Sequence, residues 1–314
     1  MANNNLKEIP IVFSVDDNYA PFLAVALTSI LENSSKENFY KFFVLNTGIS
    51  EEHIKRLSAY NTPNSSIEFV NVVDRLNSIC YKLHLRDYYT QTIYFRFFIP
   101  ALFSQYKKIL YLDCDVVLLQ DVASLYNVEL GNNVIAAIHE ETMSNVKVFG
   151  DYSEEFLDVP KMEYFNSGIL LINTERYMEL DIEGGFIKLL AEHKFEVAPD
   201  QDYLNVLCSG NVKYLDIGWN KTPFKNIEFN REDLKLVHYK LNFKPWHYDD
   251  VLYGEYFWDF ASRTSYYNEL IDMQKSFTDL DKKNDEIAYK KLQQTAQDYI
   301  NCARNYKKMK LGII

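Results

Sequence analysis

No stretch of this 314-residue chain approaches the roughly 20 consecutive apolar residues of a bilayer-crossing helix, so no helical membrane span is expected. Cysteine is scarce. Cys80, Cys114, Cys208 and Cys302 lie far apart and form no CxxC pair, which leaves no cysteine-based zinc or redox motif. They read as reduced, mostly buried thiols of a cytosolic protein. Glycine-rich loops of the GxGxxG and GxxxxGK[ST] kinds are absent, which speaks against a dinucleotide-binding dehydrogenase or a P-loop ATPase. Positive charge is in deficit: 33 Lys and Arg against 44 Asp and Glu give a net charge of −11. That excludes a general nucleic-acid binder, and any polyanionic ligand needs a local cation cluster or a metal. The opening MANNNLKEIP has no apolar signal segment, so a cytoplasmic location is expected.

What is present is an apolar majority and many rings. The chain is 47% hydrophobic, with 24 Tyr and 21 Phe, enough for a large α/β core. IPIVFSV, KFFVLNTGIS and SSIEFVNVV read as strands, and APFLAVALTSILENS and EEHIKRLSAY as the helices between them. This alternation predicts a mostly parallel sheet covered on both faces. Residues 78 to 103 read as largely helical and carry Arg86, Asp87 and Arg96. KKILYLDCDVVLLQ, NNVIAAIHE, FNSGILLINTERY and NVKYLDIGWN are further strands, with helices from about Glu183 to His193 and from APDQDYLNVLCSG. Residues 141 to 165 have weak periodicity and many charges, and read as a loop or lid. Two regions are expected: a sheet-based body over 1–250 and a helical extension over 251–314, broken around 277 to 284. The end, RNYKKMKLGII, combines four cations with an apolar tip. It suits either peripheral contact with the inner face of the cell membrane or a solvated tail with an apolar foothold.

Within LDCDVV, period-2 geometry puts Asp113 and Asp115 on one side and Cys114 on the other. Two carboxylates together make ionising both costly, and a divalent cation such as Mg²⁺ or Mn²⁺ removes the penalty. If the strand is KKILYL, both lie where it ends, at the wet rim where α/β sheets bind ligands. The bland alternative is one turn cap and one surface ion pair. A rival of another class is the haloacid-dehalogenase-like phosphatase, whose first strand also ends in DxD. That rival needs a late acidic pair at a strand end, for which DLDKKND at 279 to 285 supplies acids without the apolar strand.

Other polar residues sit in apolar settings. Asp16, Asp17 and Asn18 end the first strand before a helix, suited either to ligand contact or to plain capping. Arg96, within TIYFRFFIP, must find an anion: a phosphate, a rim carboxylate or the surface. Asn166 and Ser167 precede a buried run, with Gly168 allowing close backbone approach or a turn. Asp200, Gln201 and Asp202 open a helix. His238 follows LKLV at a strand end, and Lys244 comes six residues later. A third metal ligand with a cation nearby is what a metal-bound diphosphate requires.

VFSVDDNY, the arginine of YFRF, ILYLDCDVVLLQD, YFNSGILLIN, PDQDYLN and HYKLNFKPWH, in this order, resemble the retaining glycosyltransferases of family 8. This family includes bacterial lipopolysaccharide galactosyl- and glucosyltransferases and glycogenin. The resemblance covers residues 9 to 247. It implies an α/β GT-A fold, a Rossmann-like mixed sheet flanked by helices, and transfer of a hexose from a UDP-sugar to a glycan or glycoconjugate with Mn²⁺ or Mg²⁺. Carried onto this chain, it makes Asp113, Asp115 and His238 the metal ligands and Asp16 and Asn18 contacts of the uracil and ribose. Arg96 and Lys244 fall around the sugar and diphosphate, and Asn166, Asp200 and Gln201 around the donor sugar. Cys114 and Leu241 belong to the same donor-binding stretches, and Gln201, Asp200, Lys244 and Arg96 form the catalytic set. Leu241 departs from the pattern HYxGxxKPW, where the family often has glycine. Retention leaves two routes open, a covalent intermediate on an enzyme nucleophile or same-face attack. A nucleotide-sugar-binding protein without transferase activity is the remaining alternative.

Overall fold

The structure, a computed structural model, describes residues 6–76, 91–225 and 227–313. Cys80, Arg86 and Asp87, and most of the helical reading of 78 to 103, lie outside the described residues.

Among the described residues, nine strands form two sheets. β1 (Lys7–Ser14), β2 (Asn38–Asn46), β3 (Ser65–Asn71), β4 (Lys108–Leu112), β6 (Ile135–His139), β7 (Phe165–Asn173) and β8 (Val212–Tyr214) make the larger one. Its order is β3-β2-β1-β4-β7-β6-β8. The half from β3 to β4 is parallel, as the alternation with helices predicts. β7 runs antiparallel to both β4 and β6, and β8 is parallel to β6, so the sheet is mixed.

Strand periodicity sorts the core into two layers. On β1, Ile11 and Phe13 enter one apolar cluster and Val12 the other, one on each face. Both faces are covered, so β1 reads as a continuous apolar run. The helix Ala20–Glu32 lies against one face, with every residue from Ala20 to Ile30 buried. A helix apolar all round needs cover on its outer side too. Trp246 supplies part of it, stacking on Phe22 with ring centroids 4.0 Å apart. The helix Gly254–Ala261 adds Phe257, Phe260 and Ala261 to the same cluster.

The chain changes sheets at the paired aspartates. After Leu112 it leaves the large sheet, and from Val116 it forms β5 (Val116–Leu118), which pairs antiparallel with β9 (Leu236–His238). Val116 lies opposite His238.

Residues 141 to 165 are not the expected loop. They contain the helices Glu141–Asn145 and Lys147–Glu155, with Thr142, Met143, Phe149, Gly150, Tyr152 and Ser153 buried. Polar and small residues interrupt the inward face, which hides its helical period in the sequence. The helical tail also differs in detail. Its break is confined to Phe277 and Thr278, and a capping box at Thr278 starts the long helix Asp279–Asn301. DLDKKND is therefore a helix start, not a strand end, which removes the structural basis of the phosphatase rival. Leu292 and Ala296 of this helix join the second core cluster. At the end of the chain Lys307 and Lys310 reach Asp158 at 3.3 and 2.8 Å, so two of the tail's four cations are engaged by the body. Leu311 and Ile313 remain exposed. Among the described residues, no helix is long and apolar enough to cross a membrane.

Candidate active site

A cavity of about 440 Å³ opens where the two sheets meet. Asp113 leaves the end of β4, Asp115 precedes β5 and His238 ends β9. One ligand atom from each lies within 4.8 Å of the others. Cys114, between the two aspartates, turns its thiol to the Ser14 carbonyl oxygen at 3.3 Å, as alternation predicts. The backbone keeps the two carboxylates on different supports. The Asp113 N–H donates to the Gly168 oxygen of β7 at 2.8 Å, whereas the Asp115 oxygen accepts from Tyr239 N–H at 2.9 Å.

Charge is balanced locally. His238 Nε2 lies 3.1 Å from Asp115 Oδ1, and Lys244 Nζ lies 2.5 Å from Asp115 Oδ2. Burial alone would raise the Asp115 carboxyl, but the Lys244 ammonium and the His238 ring hold it well below the usual carboxylate range. Asp113 accepts from Tyr111 OH at 2.7 Å and from Arg96 Nη2 at 3.0 Å.

A directional hydrogen-bond chain fixes the imidazole. A carboxylate only accepts, so Asn166 Nδ2 donates to Glu140 Oε2 at 2.7 Å and its Oδ1 faces the other way. That Oδ1 accepts from Asn220 Nδ2 at 2.8 Å, which turns Asn220 Oδ1 toward His238 Nδ1 at 2.9 Å. Nδ1 therefore carries a proton, which leaves Nε2, the nitrogen facing the aspartates, as the one a cation would take in exchange for its own proton. Gly168 packs closely beside the cluster. A Cβ there would lie 2.5 Å from Asp113 Oδ2 and 2.5 Å from His238 Cε1. Two carboxylates, an imidazole whose Nε2 is turned to them and a cleared backbone beside them fit an oxygen-preferring divalent cation.

Arg96 finds its anion in carboxylates. Nη1 lies 3.0 Å from Asp200 Oδ2 and donates to the Ser167 carbonyl at 2.6 Å, while Nη2 holds Asp113. It thus ties the helix Pro199–Cys208 to β7 and to the end of β4. Gln201 Oε1 accepts from Ser167 N–H at 2.9 Å and Asn166 Nδ2 at 3.1 Å. Asp202, fully buried behind them, accepts from Tyr164 OH at 2.6 Å and Tyr152 OH at 2.9 Å. Burial pushes its carboxyl up to about 7 despite these bonds. A folded state that keeps this proton longer than the unfolded chain loses the associated stability as pH rises from the ordinary carboxylate range through about 7. We expect the melting temperature to fall between pH 5.5 and 8, with a smaller fall in Asp202→Asn. Thermal denaturation of both proteins at the two pH values checks this.

The stretch after His238 forms the other lip. Leu241 lines the cavity with φ at 51°, in the left-handed region that a glycine occupies without strain. The loop therefore keeps a glycine-type backbone while presenting a leucine side chain. Lys240 is buried against Glu140, and Lys221 against Glu141 with Nζ 2.5 Å from Oε1. Arg96, Asp113, Cys114, Asp115, Asn166, Asp200, Gln201, His238, Leu241 and Lys244 all line the cavity. Asp16 and Asn18 are not among its lining residues, and Asp16 caps the turn at Tyr19 N–H at 3.1 Å. Sequence reasoning missed Glu140, Asn220, Lys221 and Lys240. The only signal was charged residues beside strand ends, in IHEE and VHYK.

Comparison with known proteins agrees with this geometry. The model of the family described as "Glycosyl transferase family 8" matches residues 10–250. General stress protein A of Bacillus subtilis is 29% identical over 259 residues, 75% of this chain and 86% of that protein. The lipopolysaccharide 1,2-glucosyltransferase of Escherichia coli K12 is 27% identical over 79% of this chain and 75% of its own length. Among solved structures, galactosyltransferase LgtC in complex with donor and acceptor sugar analogues superposes with a TM-score of 0.70. It is 26% identical, over 82% of this chain and 96% of that one. The bifunctional glycosyltransferase WbbM gives 0.74 at 27% identity over 88% of this chain, which spans about half (53%) of that protein. The fold is GT-A, and the chain is a glycosyltransferase that belongs to family 8.

Proposed function

We propose that the protein is a retaining hexosyltransferase, moving a hexose from UDP-glucose or UDP-galactose to a hydroxyl of a glycan or glycoconjugate in the cytoplasm. The convergence of Asp113, Asp115 and His238 beside Lys244 carries this reading. These three residues would hold Mn²⁺, or Mg²⁺ in its place. A divalent cation bound there supplies positive charge for a diphosphate leaving group. Lys244 adds a second positive charge and lets an acidic protein hold a polyphosphate. Ser14 Oγ, buried at the end of β1 and lining the cavity, has no hydrogen-bond partner among the described residues, and so offers a further ligand contact.

The residues around the sugar position favour same-face attack over a covalent intermediate. Asp200 is buried and occupied by Arg96 and by Ser167 OH at 2.9 Å, which leaves it a poor nucleophile. Gln201 is a neutral amide held by Ser167 and Asn166. Both therefore orient the sugar, and the leaving phosphate takes the acceptor proton. Titration of UDP with and without Mn²⁺, followed by UDP release from glucose, galactose and N-acetyl donors, tests the reading. Absence of Mn²⁺-dependent UDP binding overturns it.

Glu140 sets the direction of the hydrogen-bond chain to His238, so it matters to the metal without touching it. Glu140→Gln can turn its amide and release that constraint. We expect Mn²⁺ affinity to fall about tenfold, measured by spin resonance without nucleotide.

A further inference from the structure

The cavity extends beyond Asp113, Asp115 and His238 to a wall built by a helix outside the family-matched residues 10–250. On the helix Asp279–Asn301, residues Asp285, Ala288, Tyr289 and Leu292 follow helical spacing and face the cavity. Beside them on the same wall lie Met143 and Phe149, from the region expected to be a loop. Phe149 and Tyr289 meet edge to face, with centroids 6.1 Å apart. The helix is anchored. Ala296 is fully buried, Tyr248 OH donates to Asp285 at 2.8 Å and Tyr299 OH donates to Glu196 at 2.7 Å.

The cavity thus has two chemical halves. Charged and amide groups crowd the strand ends, whereas Met143, Phe149, Ala288, Tyr289 and Leu292 make the helical side mainly apolar, with Thr142, Asn284 and Asp285 as its polar members. A sugar hydroxyl pressed against the apolar half loses its water and gains no partner, which weakens binding. An apolar group placed there gains burial instead.

Resting on the donor reading above, we propose that the helix Asp279–Asn301 selects the acceptor. The acceptor it fits carries an apolar group beside the reacting hydroxyl, and this group packs on Tyr289. Such a group is an aryl or alkyl aglycone, or the methyl of a 6-deoxy sugar. Both present the same chemistry to the wall. In the transfer itself the acceptor oxygen bonds to the anomeric carbon as the carbon–phosphate oxygen bond breaks, and the acceptor proton goes to the departing UDP.

The test uses the full chain, the donor that gives UDP release, and matched acceptors: free sugar, phenyl glycoside, octyl glycoside and 6-deoxy glycoside. We expect an acceptor KM about tenfold lower for an apolar-substituted acceptor than for the free sugar. Tyr289→Ala should erase most of that gap while UDP affinity moves less than twofold, and Tyr289→Phe, which keeps the ring, should restore it. A preference confined to phenyl and octyl glycosides identifies an aglycone, and one confined to the 6-deoxy glycoside a deoxy sugar. Either supports the proposal. Equal KM values across the panel, or an equal rise for all acceptors in Tyr289→Ala, overturn it with the donor reading intact. Failure of the unmodified protein to bind UDP overturns both.

Discussion

Replacing Asp115 by Asn is expected to lower Mn²⁺-dependent UDP affinity and sugar transfer by at least about 100-fold. Its carboxylate stands between His238 Nε2 at 3.1 Å and Lys244 Nζ at 2.5 Å, largely shielded from water and charged. The amide keeps the shape but removes the charge, and its NH₂ group must face a cation or an imidazole. Lys244 is then left buried without its anion, a more costly state than the lost attraction alone suggests. Calorimetric titration of UDP with and without Mn²⁺ measures the effect, and Asp272→Asn, at an exposed position on the helix Tyr267–Ser276, serves as the control. Unchanged affinity and turnover in Asp115→Asn would sink the metal assignment.

Gly168→Ala should be nearly as damaging, by about 100-fold in transfer, through a single methyl group. The new Cβ would meet Asp113 Oδ2 and His238 Cε1 at 2.5 Å each, and Asn166 Oδ1 at 3.0 Å. None of the three can give way cheaply. Asp113 is held by Tyr111 and Arg96, His238 by Asn220, and Asn166 by Glu140. Gly168 has no left-handed backbone to lose, so the fold itself should survive. Gly131 makes the opposite control. Its φ is 57° and nothing lies within 4 Å of its would-be Cβ, so Gly131→Ala should cost about 1 kcal/mol of stability and leave UDP binding alone. Circular dichroism, thermal melts and UDP titration of the two variants separate these outcomes. Equal UDP affinity in Gly168→Ala and the unmodified protein would show that the close packing does not matter.

The convergence of Asp113, Asp115 and His238 was legible in the sequence because strand alternation and strand ends are local properties. LDCDVV and LKLVHY announce their carboxylates and imidazole by where the apolar run stops. Arg96 was legible in part. A cation in TIYFRFFIP demands an anion, but only the fold says that Asp113 and Asp200 supply it. The partners of Glu140, Glu141, Lys221 and Lys240 were not legible, since buried ion pairs join residues 80 and 100 positions apart. The helices after Glu140 were hidden because their inward faces carry Thr142, Gly150 and Ser153 among the apolar residues. Asp16 and Asn18 were read as suited either to ligand contact or to capping, and Asp16 does cap a turn, a role that the strand-end position alone could not single out.

The change of sheets between Leu112 and Val116 has a mechanical consequence. Asp113 belongs to the backbone of the large sheet, whereas Asp115 and His238 belong to that of the small one. An ion gripped by all three would act as a rivet across the seam. Prying the sheets apart and letting go of the ion would then be one event, not two. Cation and nucleotide would accordingly shift the melting curve upward by mass action. Any force or substitution that spreads the seam would be felt first as looser grip on the donor.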